Sequence, residues 1–422
     1  MRSLLLGLLG LISLPAMAQS PSVALAAQWN TICATASAGT LLLVRCDETA
    51  NSSDPNANLT AAEGQHLEQI PGQARVATRD TANAAGGLHV ESHESLSLFD
   101  RSDATSTLGL QLTDDITPAW SVFASLDAGR IRRDPGVNEA AFRAGTQHFT
   151  VGADWQRGKR WQLGAAINLD REGLDFTGTT STADAHYTSL IGYFSYSASP
   201  AWVIDGYAGG GQGSYDLTRS VNYSLPILPS SSSSPSISPS LSGVVGSNYI
   251  VDELAFAHPD SNRRISGLGA TWNWSRNGWQ GGLGFGYDLS STHIDGYTET
   301  GGGGLALIVP GRTVDTERGR IDATFGRTVS ASWGVWQPSL RIGWREEFGN
   351  PRRRVTVRLA EDSLGNRITF DTEDPDRGWG ELALGSVFTF VHGQSAFIEY
   401  RQNFAHAFLH EHTLALGWRK EL

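Results

Sequence analysis

The chain has 422 residues, 40% of them hydrophobic and 18% charged, with a formal net charge of −11, 48 glycines and 13 tryptophans. An acidic balance of this size argues against nucleic acid as a partner. Past the N-terminus, no run approaches the ~20 apolar residues that a spanning helix requires, which excludes a helical membrane protein.

The one long apolar stretch comes first. Arg2 precedes residues 4–14, and Pro15-Ala16-Met17-Ala18 follows them. A basic residue, a short apolar core and an A-x-A site are the parts of a cleavable signal peptide, expected over residues 1–18 with the cut after Ala18. Export without a membrane helix points to the outer membrane of a Gram-negative bacterium.

Residues 19–115 form a short N-terminal region, expected to be partly helical. Residues 21–36 carry a weak apolar face of Val23, Ala26, Ala27 and Ile32. Cys33 and Cys46 are the only cysteines, and in an oxidising periplasm such a pair is expected to form a disulfide. Thr60 and Glu63 fit a capping box, so a helix is expected from Thr60 to about Ile70, halted by Pro71-Gly72. Residues 73–85 tolerate helix up to Gly86-Gly87 and are the candidate for a segment inside a barrel lumen; short strands are expected at 89–95 and 108–112. The region is too small for a large core and reads as a lumen plug, an exported segment or a periplasmic handle.

From about residue 116 the chain turns to alternation of period two. Twelve strands are expected, near 119–131, 143–156, 159–171, 185–198, 201–217, 263–275, 278–291, 317–330, 333–348, 379–391, 394–405 and 411–422, each long enough to cross a bilayer at a tilt. Leu382, Leu384, Phe388 and Phe390 oppose Glu381, Ala383, Gly385 and Thr389, and Leu414, Leu416 and Trp418 oppose Thr413, Ala415 and Arg419. A soluble sandwich also alternates, but it has no reason to alternate its connections, and here they do. Short joins such as Arg157-Gly158, Ser199-Pro200, Asn277, Ala331-Ser332 and His392-Gly393 take turns with long loops at 132–142, 172–184, 218–262, 292–316 and 349–378. That parity belongs to an outer-membrane barrel. The Ser/Pro-rich composition of 218–262 predicts a mobile loop.

Tryptophan placement points the same way. Trp120, Trp155, Trp161, Trp202, Trp272, Trp274, Trp279, Trp333, Trp336 and Trp418 fall near short joins or terminal strand ends, as an interfacial aromatic girdle requires. Because charge on a lipid face is costly, the polar face should line the lumen. It comprises Asp127, Asn168, Asp170, Asp288, Arg318, Arg320, Asp322, Arg341, Arg345, Glu381, Glu399 and Arg401. Such a lining could hold a plug by salt bridges, screen ions, or simply neutralise itself.

Over about residues 119–422 the chain resembles the autotransporter β-domain family. The resemblance rests on Ala119-Trp120-Ser121-Val122-Phe123, Phe149-Thr150-Val151-Gly152-Ala153-Asp154, Trp161-Gln162-Leu163-Gly164-Ala165-Ala166, Gln337-Pro338-Ser339-Leu340-Arg341 and the final strand His412-Thr413-Leu414-Ala415-Leu416-Gly417-Trp418-Arg419. It implies a twelve-stranded outer-membrane barrel with a helix in its pore, delivering an N-terminal passenger to the cell surface with help from the barrel-assembly machinery. Two features depart from the family: the region before the barrel is far shorter than a usual passenger, and the chain ends Lys420-Glu421-Leu422 rather than in an aromatic residue.

Little in the sequence points to catalysis. His406, His410 and His412 with Glu411 gather near one hairpin and read as a polar turn rather than a metal site. Asp362-Ser363-Leu364-Gly365 lacks the context of a nucleophilic serine. Leu305 to Pro310 is an apolar loop patch that either meets a surface partner or folds over the barrel mouth. The expectation is therefore an all-β, twelve-stranded antiparallel transmembrane barrel with a small, partly helical N-terminal region. It is expected to be non-enzymatic, without cofactor or metal, translocating or anchoring that region at the cell surface. The alternative is a narrow channel or adhesin-like, loop-displaying barrel, and behind it an outer-membrane hydrolase. Expected partners are outer-membrane lipid and the barrel-assembly machinery.

Overall fold

The computed structural model describes residues 19–73, 119–158, 160–228, 243–245, 248–349 and 353–422. The expected signal peptide, nearly all of the candidate lumen segment 73–85, the short strands at 89–95 and 108–112, and the Ser/Pro run fall outside these residues.

Twelve long strands close into one antiparallel barrel: β1 (Ala119–Arg133), β2 (Phe142–Arg157), β3 (Trp161–Phe176), β4 (Thr182–Ser199), β5 (Trp202–Pro226), β6 (Asp260–Arg276), β7 (Trp279–Ile294), β8 (Arg312–Arg327), β9 (Gly334–Glu347), β10 (Gly378–Phe390), β11 (Gln394–Phe404) and β12 (Leu409–Glu421). Each pairs with its sequence neighbour. The ring shuts between β1 and β12, in register from Ser121 opposite Glu421 to Arg133 opposite Leu409. Closure leaves no strand edge unpaired, which matters because an unpaired edge in hydrocarbon would orphan a row of backbone donors and acceptors.

The faces are inverted relative to a soluble protein. Leu384, Ile321 and Ile342 point outward and are 56%, 55% and 51% exposed, whereas Asp154, Gln162 and Asn168 point inward and are buried. The short turns gather at one rim. Between β6 and β7 the turn residues Asn277 and Gly278 both have positive φ, 53° and 76°, as in a type I′ turn, whose twist suits a tight hairpin.

At the other rim the strands outrun the expected spans. β5 continues to Pro226 and is paired there by a returning strand, Asn248–Ala257, so much of the expected mobile loop 218–262 is ordered hairpin. Four short strands, Tyr297–Thr298, Leu307–Val309, Arg354–Leu359 and Ile368–Asp371, make a second small sheet from the long loops after β7 and β9.

Among the described residues, three helices of seven or more residues precede the barrel. α1 (Pro21–Ala34) starts at Ser20, whose hydroxyl accepts from the Val23 amide at 3.4 Å, with proline in its first turn where no amide donor is missed. α2 (Leu41–Ala50) is capped likewise by Thr40. α3 (Ala57–Glu63) corrects the capping-box expectation: Asn56 is its N-cap, and Thr60 lies within the helix, donating to Asp54 Oδ2 at 2.8 Å. Pro71 does not stop helix either. Residues 69–73 are helical, and a proline near the start of such a turn costs no hydrogen bond.

Candidate functional site: the polar lumen and its helical cap

The inner wall carries a chain of alternating charge. Arg401 Nη2 is 3.5 Å from Asp127, and its Nε is 3.3 Å from Glu399. Arg341 joins Glu399 at 2.9 Å and Glu381 at 3.6 Å. Arg345 links Glu381 at 3.0 Å to Asp322 at 2.7 Å. Arg320 continues to Asp288 at 3.4 Å, where the Tyr207 hydroxyl donates at 2.8 Å. Period-two alternation alone puts these residues on one side of β1 and β7 to β11, and the register then places opposite signs next to each other. Arg318 stands apart from the chain and pairs with Glu347 at 3.7 Å.

Asn168 lies on the far wall, its amide donating to Thr150 at 2.9 Å. Beside it Asp170 holds His148, 2.8 Å away, and also binds Arg263. Arg263 in turn donates to Ser189 at 2.9 Å and lies over the Tyr187 ring. Nearer the short-turn rim, Arg419 grips Asp154 with two bonds of 2.6 and 2.8 Å. His148, Asp154 and Arg263 lie outside the expected lining, although period-two alternation along β2 puts His148, Thr150 and Asp154 on one face.

The tryptophans singled out as a girdle all face outward beside the short turns. Trp120 lies opposite Trp155, Trp161 opposite Tyr196, Trp202 opposite Trp272, Trp274 opposite Gly281, Trp279 opposite Arg327, Trp336 opposite Phe388 and Trp418 opposite Ala396. The clustered histidines take separate partners: His406 pairs with Asp376, His410 with Asp134 and His412 with Tyr400. Among the described residues no three metal-ligating side chains converge.

The long-loop rim is where the N-terminal helices sit. Cys33 and Cys46 form a disulfide joining α1 to α2. Leu25, Trp29, Ile32, Leu42, Ala61 and Ile70 bury their side chains in one core with residues from the loops. From β5 come Val221, Tyr223 and Leu225, and from the small sheet Leu307, Val309, Val357, Leu359, Ile368 and Phe370. The apolar patch at Leu305 to Pro310 is thus part of this internal core, with Leu305 and Leu307 fully buried.

Polar contacts fix the docking. Arg219, buried on β5, binds Glu299 through Nε and Nη2 at 2.9 and 2.5 Å, and donates to the carbonyls of Gln65 and Leu305, each at 2.8 Å. Arg45 of α2 pairs with Glu48 at 3.0 Å and donates to Gly303 O at 2.9 Å. The Leu42 amide donates to Glu361 at 2.9 Å. Backbone bonds add to these: Asn222 donates to Gly64 O at 2.8 Å, Ser53 to Pro226 O at 2.9 Å and Leu228 to Asn51 O at 3.1 Å. The fit at Gly64 is close enough that a Cβ would come within 2.4 Å of the Asn222 carbonyl oxygen. Gln73, the one described residue of the candidate lumen segment, is buried and accepts a bond from the Tyr297 hydroxyl at 3.2 Å.

This arrangement is that of a polar-lined barrel with a cap on its long-loop mouth. The family model for the autotransporter beta-domain matches residues 122–401, well over half of the chain. No curated protein sequence matches the chain. Among solved structures, the translocator domain of autotransporter NalP from Neisseria meningitidis is 14% identical with a TM-score of 0.53, covering 81% of this chain and 98% of that one. The β-domain of the Bordetella autotransporter Brka is 17% identical with a TM-score of 0.49, covering 72% and 100%. Barrels of this family form translocators of the bacterial outer membrane and are not themselves enzymatic. With its twelve closed strands and this match, the chain belongs to the autotransporter β-domain family.

Proposed function

We propose that this barrel delivers its own N-terminal segment to the cell surface and anchors it there as a folded cap. Residues 1–18 act as the cleavable export signal, the outer wall meets outer-membrane lipid, and the barrel-assembly machinery inserts the barrel. One observation carries the reading. Residues 19–73 pack on the long-loop rim, while β1 begins at the short-turn rim, with Ala119 opposite Gln156. A single chain is therefore anchored at both rims. Long loops face outward in outer-membrane barrels and tight turns face the periplasm. On that orientation the segment has crossed the membrane relative to the start of the barrel, and the polar lumen is the route that does not take backbone through hydrocarbon.

The test is an epitope tag inserted after Ser20. On this reading, antibody and protease reach the tag on intact cells. Access only after the outer membrane is permeabilised would reject translocation and leave a barrel that displays its loops or conducts.

A further inference from the structure

The outer wall carries a charged depression that neither translocation nor the cap uses. Just above the apolar band on β1, β2 and β3, the outward residues change abruptly. Leu126, Phe149 and Leu169 mark the top of the band. Next come Arg130 and Arg132 on β1, Arg143 on β2 and Arg171 on β3. Here a trough of about 700 Å³ opens on the outer face, and Arg130, Gly145, Arg171, His412 and Tyr400 line it.

The register centres these cations on Gly145. Arg130 lies directly across from it, Arg143 is two residues along the same strand, and Arg171 is across from Gln147, the next outward residue below. Directly opposed strand residues are ~5 Å apart and same-face neighbours ~7 Å, so the guanidinium groups of Arg130 and Arg171, which both line the trough, can converge over Gly145, with Arg143 at its edge.

Two features mark that point as a seat for a ligand. Glycine within a strand weakens it, and it often marks a place where another group approaches closely. At Gly145 a Cβ would meet nothing within 4 Å, so packing within the protein does not call for glycine there. Second, among the described residues Arg130, Arg143 and Arg171 enter no salt bridge, whereas Arg132 is held by Asp134 at 3.1 Å. Asp184 also lines the trough, on its β4 side, and reaches over Gly173, which lies directly opposite Gly145; a Cβ at Gly173 would meet its Oδ1 at 2.8 Å. Asp175 lies opposite Arg143. Gly145 itself stays open.

We infer that this trough binds the phosphate of an outer-leaflet glycolipid headgroup, with the lipid's acyl chains lying down the apolar band below. Guanidinium forks suit phosphate oxygens in geometry and charge, and the trough sits where a headgroup meets the hydrocarbon boundary. The inference rests on the orientation proposed above. Its test in detergent is independent of translocation, so the two readings can fail separately.

The full-length chain, purified in detergent and stripped of lipid, is incubated with diphosphoryl lipid A and with the same lipid after phosphatase treatment. Bound lipid is counted by native mass spectrometry, and folding is checked by the gel shift between unboiled and boiled samples. The protein should retain the phosphorylated form at least about tenfold better, the scale of charge-assisted bonding. The double variant Arg130→Gln/Arg171→Gln should lose that preference. Gly145→Leu, which removes no charge but fills the seat, should lower it, and Arg264→Gln, an outward arginine on β6, should not. Equal retention of the two lipids, a preference that survives in the double arginine variant, or one left undiminished by Gly145→Leu would overturn the inference.

Discussion

Arg219 is the sharpest probe of the cap. Its guanidinium is buried between β5, the small sheet and the turn after α3, and it satisfies Glu299 and two carbonyls at once. Replacing it with methionine keeps much of the volume but strands the buried carboxylate of Glu299, to which, among the described residues, the Leu307 amide still donates at 2.9 Å. Removing one partner of a buried pair costs about 3–5 kcal/mol, because the other charge stays desolvated and uncompensated. At ~1.4 kcal/mol per decade, local opening of the cap should become at least about 100-fold more frequent. Hydrogen exchange read by mass spectrometry reports this directly, with amides of residues 19–73 losing protection while β8 to β12 keep theirs. Adding Glu299→Gln to Arg219→Met should recover more than half of the loss, since a neutral amide can still accept from Leu307. A change under about fivefold in the single variant, or no recovery in the double, would refute the claim that this ion pair clamps the cap.

Four further outcomes follow from the same structure. Replacing both Cys33 and Cys46 with serine removes a link across a sequence separation of 13 and should destabilise the cap by ~3 kcal/mol, measured by protease cleavage within residues 19–73 with the barrel intact. Gly64→Val should release the cap more completely, because the added atoms meet the Asn222 backbone rather than a side chain that can move; the same protease assay checks it. Leu384→Arg, outward near mid-strand, should cost the barrel about 2–4 kcal/mol in a denaturant titration in lipid. Burial pushes the pKa of the Tyr223 phenol above its ordinary value, with Arg45 opposing the effect and Glu48 adding to it. The folded cap then keeps a proton that the unfolded chain releases, so cap stability should fall as pH rises above ~10. Tyr223→Phe should flatten that decline in the exchange assay.

The barrel was legible in the sequence because its determinants are local. Alternation assigns faces from neighbouring residues, and turn length assigns rims, so Leu382 and Leu384 can be placed outside and Glu381 inside without knowing what they touch. Asn277-Gly278 announces its own hairpin. The charge chain from Asp127 to Asp288 was readable as a face, but its pairing order was not, because pairing depends on register between strands far apart in sequence. The cap was hardest to read. Its core joins Trp29 and Leu42 to Leu307 and Phe370, whose separation in the chain hides any pattern, and the long loops were judged by composition that cannot report what covers them. Thr60 misled because a threonine three residues before a glutamate satisfies the capping-box spacing inside a helix as well as at its start. Arg219 fell just beyond the end of an expected strand, and nothing adjacent to it signals Glu299.

Central to the proposed function is that residues 19–73 cover the outer mouth while the start of the barrel lies on the opposite rim. The most direct measurement is the accessibility of a tag after Ser20 on intact cells, compared with a second tag in the short turn at His392-Gly393. Antibody should reach the first tag without permeabilisation and the second only after it. Protection of both tags on intact cells, with exposure of both afterwards, would put the N-terminal segment in the periplasm and contradict its delivery to the surface.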